Sequence, residues 1–246
     1  MSTPEHKAHP RFAEIRKNIE RSGHHVYLIT AGPSPRFLYT IGLTDVAGVE
    51  LLLAGAGRYD AQAAYEIVEA GAAALRNRAR DGASFTAGAR GTFTLRATHA
   101  SWVDALLLGA TDFYRGSPVH ALQIVPDAAH HTIDIPDATL PIGPVTSPPW
   151  RWHLEEWPYA VPKDSMAITN VAALQGHLVT EANRWEADHW EWYAGDERKK
   201  DEMFVVPLAT LISHDPSLVE AMTIPVLTGV GRDAFGDDWE RYDIKE

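Results

Sequence analysis

A proline-rich stretch in the middle of the chain constrains the fold more than any other feature. Seven of the 16 prolines lie between Pro136 and Pro162, and Pro148 and Pro149 are adjacent. Because proline lacks a backbone N–H and fixes φ, such a stretch favours extended backbone over a long helix. We therefore expect the chain to divide there. The expected parts are an α+β domain at 1–145, a Pro/Trp-rich linker at 146–162 and a smaller C-terminal region of helices and strands at 163–246.

Strand and helix patterns alternate along the N-terminal part. Apolar residues recur at helical spacing in 10–22, and two runs of strand-forming residues flank the breaker Gly32-Pro33-Ser34-Pro35. The pattern predicts a mixed β-sheet with flanking helices. The expected strands are 25–29, 37–41, 49–54, 92–96 and 121–125, with a further short one at 132–135, and the expected helices are 10–22, 61–80 and 100–114.

The C-terminal region is predicted to contain one long helix at 171–193, then a strand at 203–206 and a short helix after Asp215-Pro216. Four charged or ligating residues would share one face of the long helix: His177, Glu181, Arg184 and Asp188. Because Arg184 would repel a cation there, we interpret this face as salt-bridged and expect no metal site and no cofactor.

The charge balance limits the classes of partner. The chain has 33 acidic and 22 basic side chains, a formal net charge of -11, and an ordinary globular composition with 45% hydrophobic and 22% charged residues. An acidic chain repels polyanions, so we expect no nucleic acid and no anionic membrane as partner. A basic protein partner suits it better, because complementary charge speeds encounter.

Cysteine is absent from all 246 residues. Disulfides, thiolate metal sites and a cysteine nucleophile are thereby excluded. The first residues, MSTPEHKAHPRF, lack the apolar core of a secretory signal, so we expect a cytoplasmic protein.

A motif in the N-terminal part resembles a known family. The segment Phe37-Leu38-Tyr39-Thr40-Ile41-Gly42-Leu43-Thr44 is followed by Glu50-Leu51, and later by Ala121-Leu122-Gln123-Ile124-Val125-Pro126-Asp127. This order resembles the bacterial domain-of-unknown-function family 4262 over about 11–145. The family's usual pattern has a proline where this chain has Val49, and a tryptophan before Pro126. A weaker similarity links the motif to suppressor-of-fused-like domains, and the C-terminal tail to immunity-like proteins. Neither resemblance implies catalytic residues.

Polar residues within the apolar strands define a candidate pocket. Glu50 and Asp127 lie in or at the end of such strands, where an unpaired charge is costly, so we expect them to be hydrogen-bonded or to line a pocket. Histidines beside the same strands could supply a general base or a ligand. The candidate set is Tyr39, Thr40, Glu50, Gln123, Asp127 and His131.

Six of the eight tryptophans lie between Trp150 and Trp192. Such a cluster builds either an interdomain seam or a partner-binding surface, and the seam is the better interpretation because most aromatic clusters pack internally. If it is a binding surface, the contacting residues would be Trp150, Trp152 and Trp157. The Gly55-Ala56-Gly57 turn suggests a dinucleotide site, but without a third glycine a plain strand-to-helix turn is the better interpretation.

Two functions remain open from the sequence. No Gly-x-Ser-x-Gly, His-Glu-x-x-His or phosphate-loop motif occurs. A non-catalytic recognition protein, in an immunity-like role and able to form a homo-oligomer, is the preferred hypothesis. The alternative is an enzyme or small-molecule binder whose pocket surrounds Tyr39, Glu50, Gln123 and Asp127.

Overall fold

A computed structural model describes residues 10–30, 32–115, 117–195, 199, 202–234 and 236–244. The fold is α+β, as predicted, with two six-stranded mixed sheets and helices packed on them. Among the described residues, no helix is long and apolar enough to span a bilayer.

The first sheet has the strand order β1-β2-β3-β6-β5-β4. Its neighbours pair antiparallel except β3 and β6, which run parallel. The strands are β1 His25–Ile29, β2 Phe37–Ile41, β3 Glu50–Ala54, β4 Ser84–Thr86, β5 Thr92–Ala97 and β6 Ala121–Pro126. The accompanying helices are α1 Pro10–Ser22, α2 Thr44–Ala47, α3 Ala61–Arg76, α4 Ala100–Leu106 and α5 Leu108–Tyr114, with a 3₁₀ turn at Gly88–Arg90.

Both faces of the central strands β2, β3 and β6 are buried, which explains their nearly continuous apolar sequences. Leu51 and Leu53 face α3, whereas Leu52 faces the opposite cluster, because successive side chains alternate between the faces of a strand. The N-terminus of α3 is capped by Asp60, whose carboxylate accepts the N–H of Ala63 at 2.7 Å.

The second sheet has the order β10-β7-β9-β8-β11-β12, antiparallel except for the parallel pair β7 and β9. Its strands are β7 Met166–Asn170, β8 Glu181–Arg184, β9 His189–Tyr193, β10 Met203–Pro207, β11 Thr228–Gly231 and β12 Glu240–Asp243. Three short helices pack with it, α6 Val171–Leu174, α7 Leu208–His214 and α8 Leu218–Ala221.

The prediction of one long helix at 171–193 is wrong. Only α6 is helical. The chain then turns at Gly176, whose φ of +87° is left-handed, and continues as the antiparallel pair β8 and β9. Trp190 and Trp192 lie two residues apart on β9, so both side chains enter the core from the same face of the strand. This period of two is typical of a strand, although other apolar residues of the segment recur at helical spacing.

The predicted charged helix face therefore does not exist. His177 follows α6, whereas Glu181 and Arg184 lie on β8. Arg184 instead stacks on the Trp190 ring at 4.6 Å and donates to backbone carbonyls, including that of Ile224 at 3.0 Å.

Smaller differences also separate prediction from structure. The predicted helix at 100–114 is split at Leu107 into α4 and α5, and 132–135 forms a turn instead of a strand. Besides β8 and β9, six elements were not predicted: α2, β4, β7, α7, β11 and β12. β4 and β12 consist mainly of exposed residues and carry little hydrophobic signal.

A 3₁₀ helix at Pro148–His153 joins the two sheets by placing one tryptophan in each core. Trp150 is fully buried in the first core, where its ring centroid lies 5.3 Å from that of Trp102. Trp152 is 8% exposed and belongs to the second core, where its indole N–H donates to Ser213 Oγ at 2.6 Å. The tryptophans of the proline-rich stretch thus pack at the seam.

We expect Trp150→Ala to lower the free energy of unfolding by about 3 to 5 kcal/mol, because it leaves a large cavity in the first core. It also leaves the Asp134 carbonyl without the indole donor that lies 2.9 Å away. Urea unfolding followed by circular dichroism measures the loss. The control is Leu154→Ala, at a side chain that is 52% exposed, where the change should stay within about 0.5 kcal/mol. Equal effects of the two substitutions would contradict this role for Trp150.

Candidate functional site

Glu50 is the most completely hydrogen-bonded of the predicted site residues. It begins β3, is 0% exposed, and its two carboxylate oxygens accept six hydrogen bonds at 2.6 to 3.3 Å. The donors are the backbone N–H groups of Gly42, Leu43 and Thr44 and the hydroxyls of Thr40, Thr44 and Tyr114.

The turn between β2 and α2 is shaped to hold this carboxylate. Gly42 has a φ of +113°, and a Cβ there would lie 2.9 Å from Ile19 Cγ1, so glycine is required. We call these six donors around the carboxylate the Glu50 cradle. Thr40 Oγ1, one of them, also accepts the N–H of Leu51 at 2.8 Å, which joins the cradle to β3. Burial, followed by the charge of Glu50 and its hydrogen bond, raises the pKa of Tyr114.

The cradle gives the family-like motif a structural meaning. A buried carboxylate satisfies three turn amides that would otherwise be buried without partners. Because its oxygens are already occupied by six donors, Glu50 is suited to holding the turn and poorly suited to binding a ligand. The prediction that Glu50 is hydrogen-bonded is confirmed, and the carboxylate is buried in the protein core.

The other candidate residues lie at separate places. Asp127 has a 35% exposed side chain that accepts the N–H groups of Thr92 and Ala129 and pairs with His130 at 2.7 Å. The hydrogen bond from His130 is the main reason why the pKa of Asp127 is lowered. Asp127 therefore holds a loop together.

Gln123 is also used internally. Its amide donates to the Pro136 carbonyl at 2.8 Å and accepts the Ala138 N–H at 3.1 Å, which fixes the loop that follows β6. Gln123 and the exposed His131 line a cleft of about 470 Å³, away from Glu50 and Tyr39. Thr40 donates to Glu50 at 2.6 Å, but the six predicted pocket residues do not line one pocket.

A larger groove, of about 890 Å³, lies between the first sheet, with α4 and α5, and the segment 152–163, which packs on the second core. It brings together Tyr39 from the predicted pocket with Trp152 and Trp157 from the predicted partner-binding set. Trp150 is buried beside it and presents no surface. We call this space the seam groove.

Three rings form an aromatic cluster on one side of the seam groove. The centroids of Trp152 and Trp157 are 5.0 Å apart, and Tyr159 lies 5.8 Å from Trp152 and 4.9 Å from Trp157. All three pairs are edge-to-face, the arrangement that aromatic quadrupoles favour. Sequence reasoning missed Tyr159, although it stands between Pro158 and Pro162 in the same stretch and could have been found there.

Polar groups line the rest of the seam groove, among them Glu155, Glu156 and Lys163. His153 connects this segment to the first sheet's helices, because its ring lies 3.1 Å from the Ala105 carbonyl. The Tyr39 hydroxyl accepts the Gly109 N–H at 3.1 Å, which ties β2 to α5 at the base of the groove.

A second buried carboxylate, Asp134, fills the turn that resembled a dinucleotide site. Its Oδ2 accepts the Gly57 N–H at 2.9 Å, and a Cβ at Gly55 would lie 2.1 Å from the Asp134 carbonyl oxygen. The glycines thus admit the loop of Asp134, in a plain strand-to-helix turn. Burial is the main cause that raises the pKa of Asp134, outweighing its hydrogen bonds from Thr132 and Gly57.

Within the described ranges, no group of three or more His, Cys, Asp or Glu side chains could hold a metal ion.

We expect Glu50→Gln to lower the free energy of unfolding by about 2 to 4 kcal/mol, because the amide places two N–H donors against a cradle made of donors. The control is Asp127→Asn, at a side chain that is 35% exposed, which should cost under about 1 kcal/mol. Urea unfolding at neutral pH compares them. A neutral Glu50→Gln substitution would contradict the structural role of the carboxylate.

A pH series tests Asp134. Because its folded pKa is raised, the proton adds stability below the unfolded value near 3.8, and this stability is lost as the pH rises through the folded pKa. Asn at 134 can accept from Gly57 and donate to Thr132 without titrating. The unfolding free energy of Asp134→Asn relative to the parent should therefore rise from pH 4 to pH 7. A constant difference would show that Asp134 does not titrate in this range.

No curated protein and no solved structure matches the chain significantly. The resemblance to family 4262 is confirmed over a shorter range than expected, whereas the similarities to suppressor-of-fused-like and immunity-like proteins stay predictions. Residues 18–132, which contain all six strands of the first sheet and the Glu50 cradle, match a family model, and this part of the chain is similar to the family described as Domain of unknown function (DUF4262).

Proposed function

We propose that this chain is a non-catalytic recognition protein that holds a basic segment of a protein partner in the seam groove. The observation that carries the proposal is the groove itself, an aromatic-lined space of about 890 Å³ between the first sheet and the segment 152–163 that packs on the second core. Binding sites occur preferentially at such junctions, because two rigid units can present side chains to one ligand.

The chemistry of the lining supports a basic occupant. The faces of Trp157 and Tyr159 attract cations through their ring quadrupoles, and Glu156 supplies negative charge, whereas Glu155 is paired with Arg151 and Lys163 also lines the groove. The formal net charge of -11 adds a long-range attraction for basic partners. The same charge disfavours nucleic acid and anionic membranes.

The internal contacts of three acidic side chains support a non-catalytic role. Glu50 is enclosed by six donors, Asp134 is buried in a turn, and Asp127 pairs with His130. Each of them has a structural partner, and none of the three lines the seam groove. An immunity-like role is one form of this proposal, in which the partner is a basic toxin domain. A cytoplasmic site of action fits the lack of cysteine.

A small-molecule binder is the second candidate, because the groove volume lies within the range of about 300 to 1,000 Å³ typical of ligand pockets. Native mass spectrometry of the purified protein separates the two. A stoichiometric small molecule retained from the cell and lost in Trp157→Ala would favour this candidate over a protein partner.

The test of the proposal is calorimetric titration with acetylated hexalysine and hexaglutamate at low ionic strength. Hexalysine should bind saturably, more weakly as salt is added, and hexaglutamate should not bind. Trp157→Ala should weaken hexalysine binding at least about tenfold, as removal of an aromatic anchor does. The control is Trp185→Ala, at a half-buried tryptophan outside the groove.

Two outcomes would overturn the proposal. One is the absence of hexalysine binding. The other is equal weakening by the two tryptophan substitutions, which would place any binding on the general acidic surface instead of in the groove.

A further inference from the structure

Arg151 occupies a cation-binding arrangement at the edge of the seam groove. Its guanidinium carbon lies 4.7 Å from the centroid of the Trp152 ring. Its Nε and Nη2 atoms both lie 2.9 Å from Glu155 Oε2. Trp152 and Glu155 both line the groove, so the chain supplies its own arginine to an aromatic face and a carboxylate.

We propose that Trp152 and Glu155 form a guanidinium subsite of the seam groove, and that Arg151 is its internal occupant. An arginine of the partner segment binds there by displacing Arg151. This inference rests on the proposed function, since it assigns the side-chain class that the groove selects and the contact that regulates access to it.

The chemistry selects arginine over lysine. A guanidinium is planar and weakly hydrated, so it stacks on an indole while its N–H groups remain directed at a carboxylate. An ammonium is a compact, strongly hydrated charge and makes only one of these contacts well. The Arg151 geometry displays both contacts at once, on two residues that line the groove.

The internal contact is weak enough to be exchanged. The side chains of Arg151 and Glu155 are 36% and 38% exposed, and ion pairs at that exposure contribute little net stability. The Arg151 side chain can therefore swing into solvent while the 3₁₀ helix stays anchored by Trp150 and Trp152. Trp152 is only 8% exposed with Arg151 in place, so departure of the guanidinium uncovers ring surface.

Competition sets the expected size of the effect. An internal occupant raises the apparent Kd by the inverse of the fraction of molecules in which the subsite is open. If Arg151 fills the subsite about nine-tenths of the time, its removal tightens binding about tenfold.

Calorimetric titration of the full chain with acetylated hexa-arginine and hexalysine tests this inference. Arg151→Ala should tighten hexa-arginine binding about three- to tenfold, with a smaller effect on hexalysine. Glu155→Gln should weaken hexa-arginine binding more than hexalysine binding. Thermal unfolding verifies that each variant is folded.

A matched ion pair outside the groove gives the control. Arg90 pairs with Glu66 at 3.3 Å, and their side chains are 41% and 47% exposed. Arg90→Ala removes the same charge and also frees a surface carboxylate, so it reports the effect of net charge alone. It should tighten hexa-arginine binding much less than Arg151→Ala does.

The possible failures are distinguishable. If Arg151→Ala and Arg90→Ala change the affinity equally, or if Arg151→Ala weakens binding, the displaced-arginine inference is wrong. If hexalysine binding still depends on Trp157 in that case, the proposed function stands. If neither peptide binds any variant, the proposed function and this inference both fail.

Discussion

The arrangement of the two sheets depends on a short 3₁₀ helix of six residues, Pro148–His153. With three residues per turn, side chains two positions apart diverge by about 120° around the helix axis. Trp150 can therefore enter the first core while Trp152 enters the second, each with its indole N–H bonded to a partner in that core. The seam groove and its aromatic lining exist because this segment is held at both ends.

The Glu50 cradle shows how a motif that suggests chemistry can serve folding. Backbone amides converging on a carboxylate are the usual design of an anion site. Here the anion belongs to the protein, and the cost of burying its charge is offset by six hydrogen bonds. Asp134, behind Gly55 and Gly57, accepts hydrogen bonds from Gly57 and Thr132, but these do not offset its burial, which raises its pKa. Buried carboxylates thus hold two turns of this fold, and they differ in how fully they are hydrogen-bonded.

Arg151 links the architecture to the proposed recognition. It stands between the two anchoring tryptophans, so its backbone position is set by packing while its side chain remains partly exposed. Such a placement allows a local exchange of one guanidinium for another without disturbing either core. Glu155 lies four residues after Arg151, beyond the end of the 3₁₀ helix, and completes the contact.

The sequence by itself determined the elements whose signal is local. The bounds of α1, β1 and β2 were predicted as they occur, because apolar periodicity and breakers act within a few residues. The α+β class and the burial of the tryptophan-rich stretch followed from the same patterns. The sequence did not determine the hydrogen-bond partners of Glu50, Gln123 and Asp127, because most of these partners come from other parts of the chain and meet only in the folded structure.

Tertiary structure decided the secondary structure of 171–193 and the location of the candidate site. Trp185, His189 and Trp192 recur at helical spacing, whereas Trp190 and Trp192 have the period of two of a strand, and pairing of β9 with β7 and β8 selects the strand. The seam groove is assembled from Tyr39, Trp152 and Tyr159, which are far apart along the chain or separated by prolines. Their convergence depends on how two separately paired sheets dock, and this docking free energy has no counterpart in any local pattern.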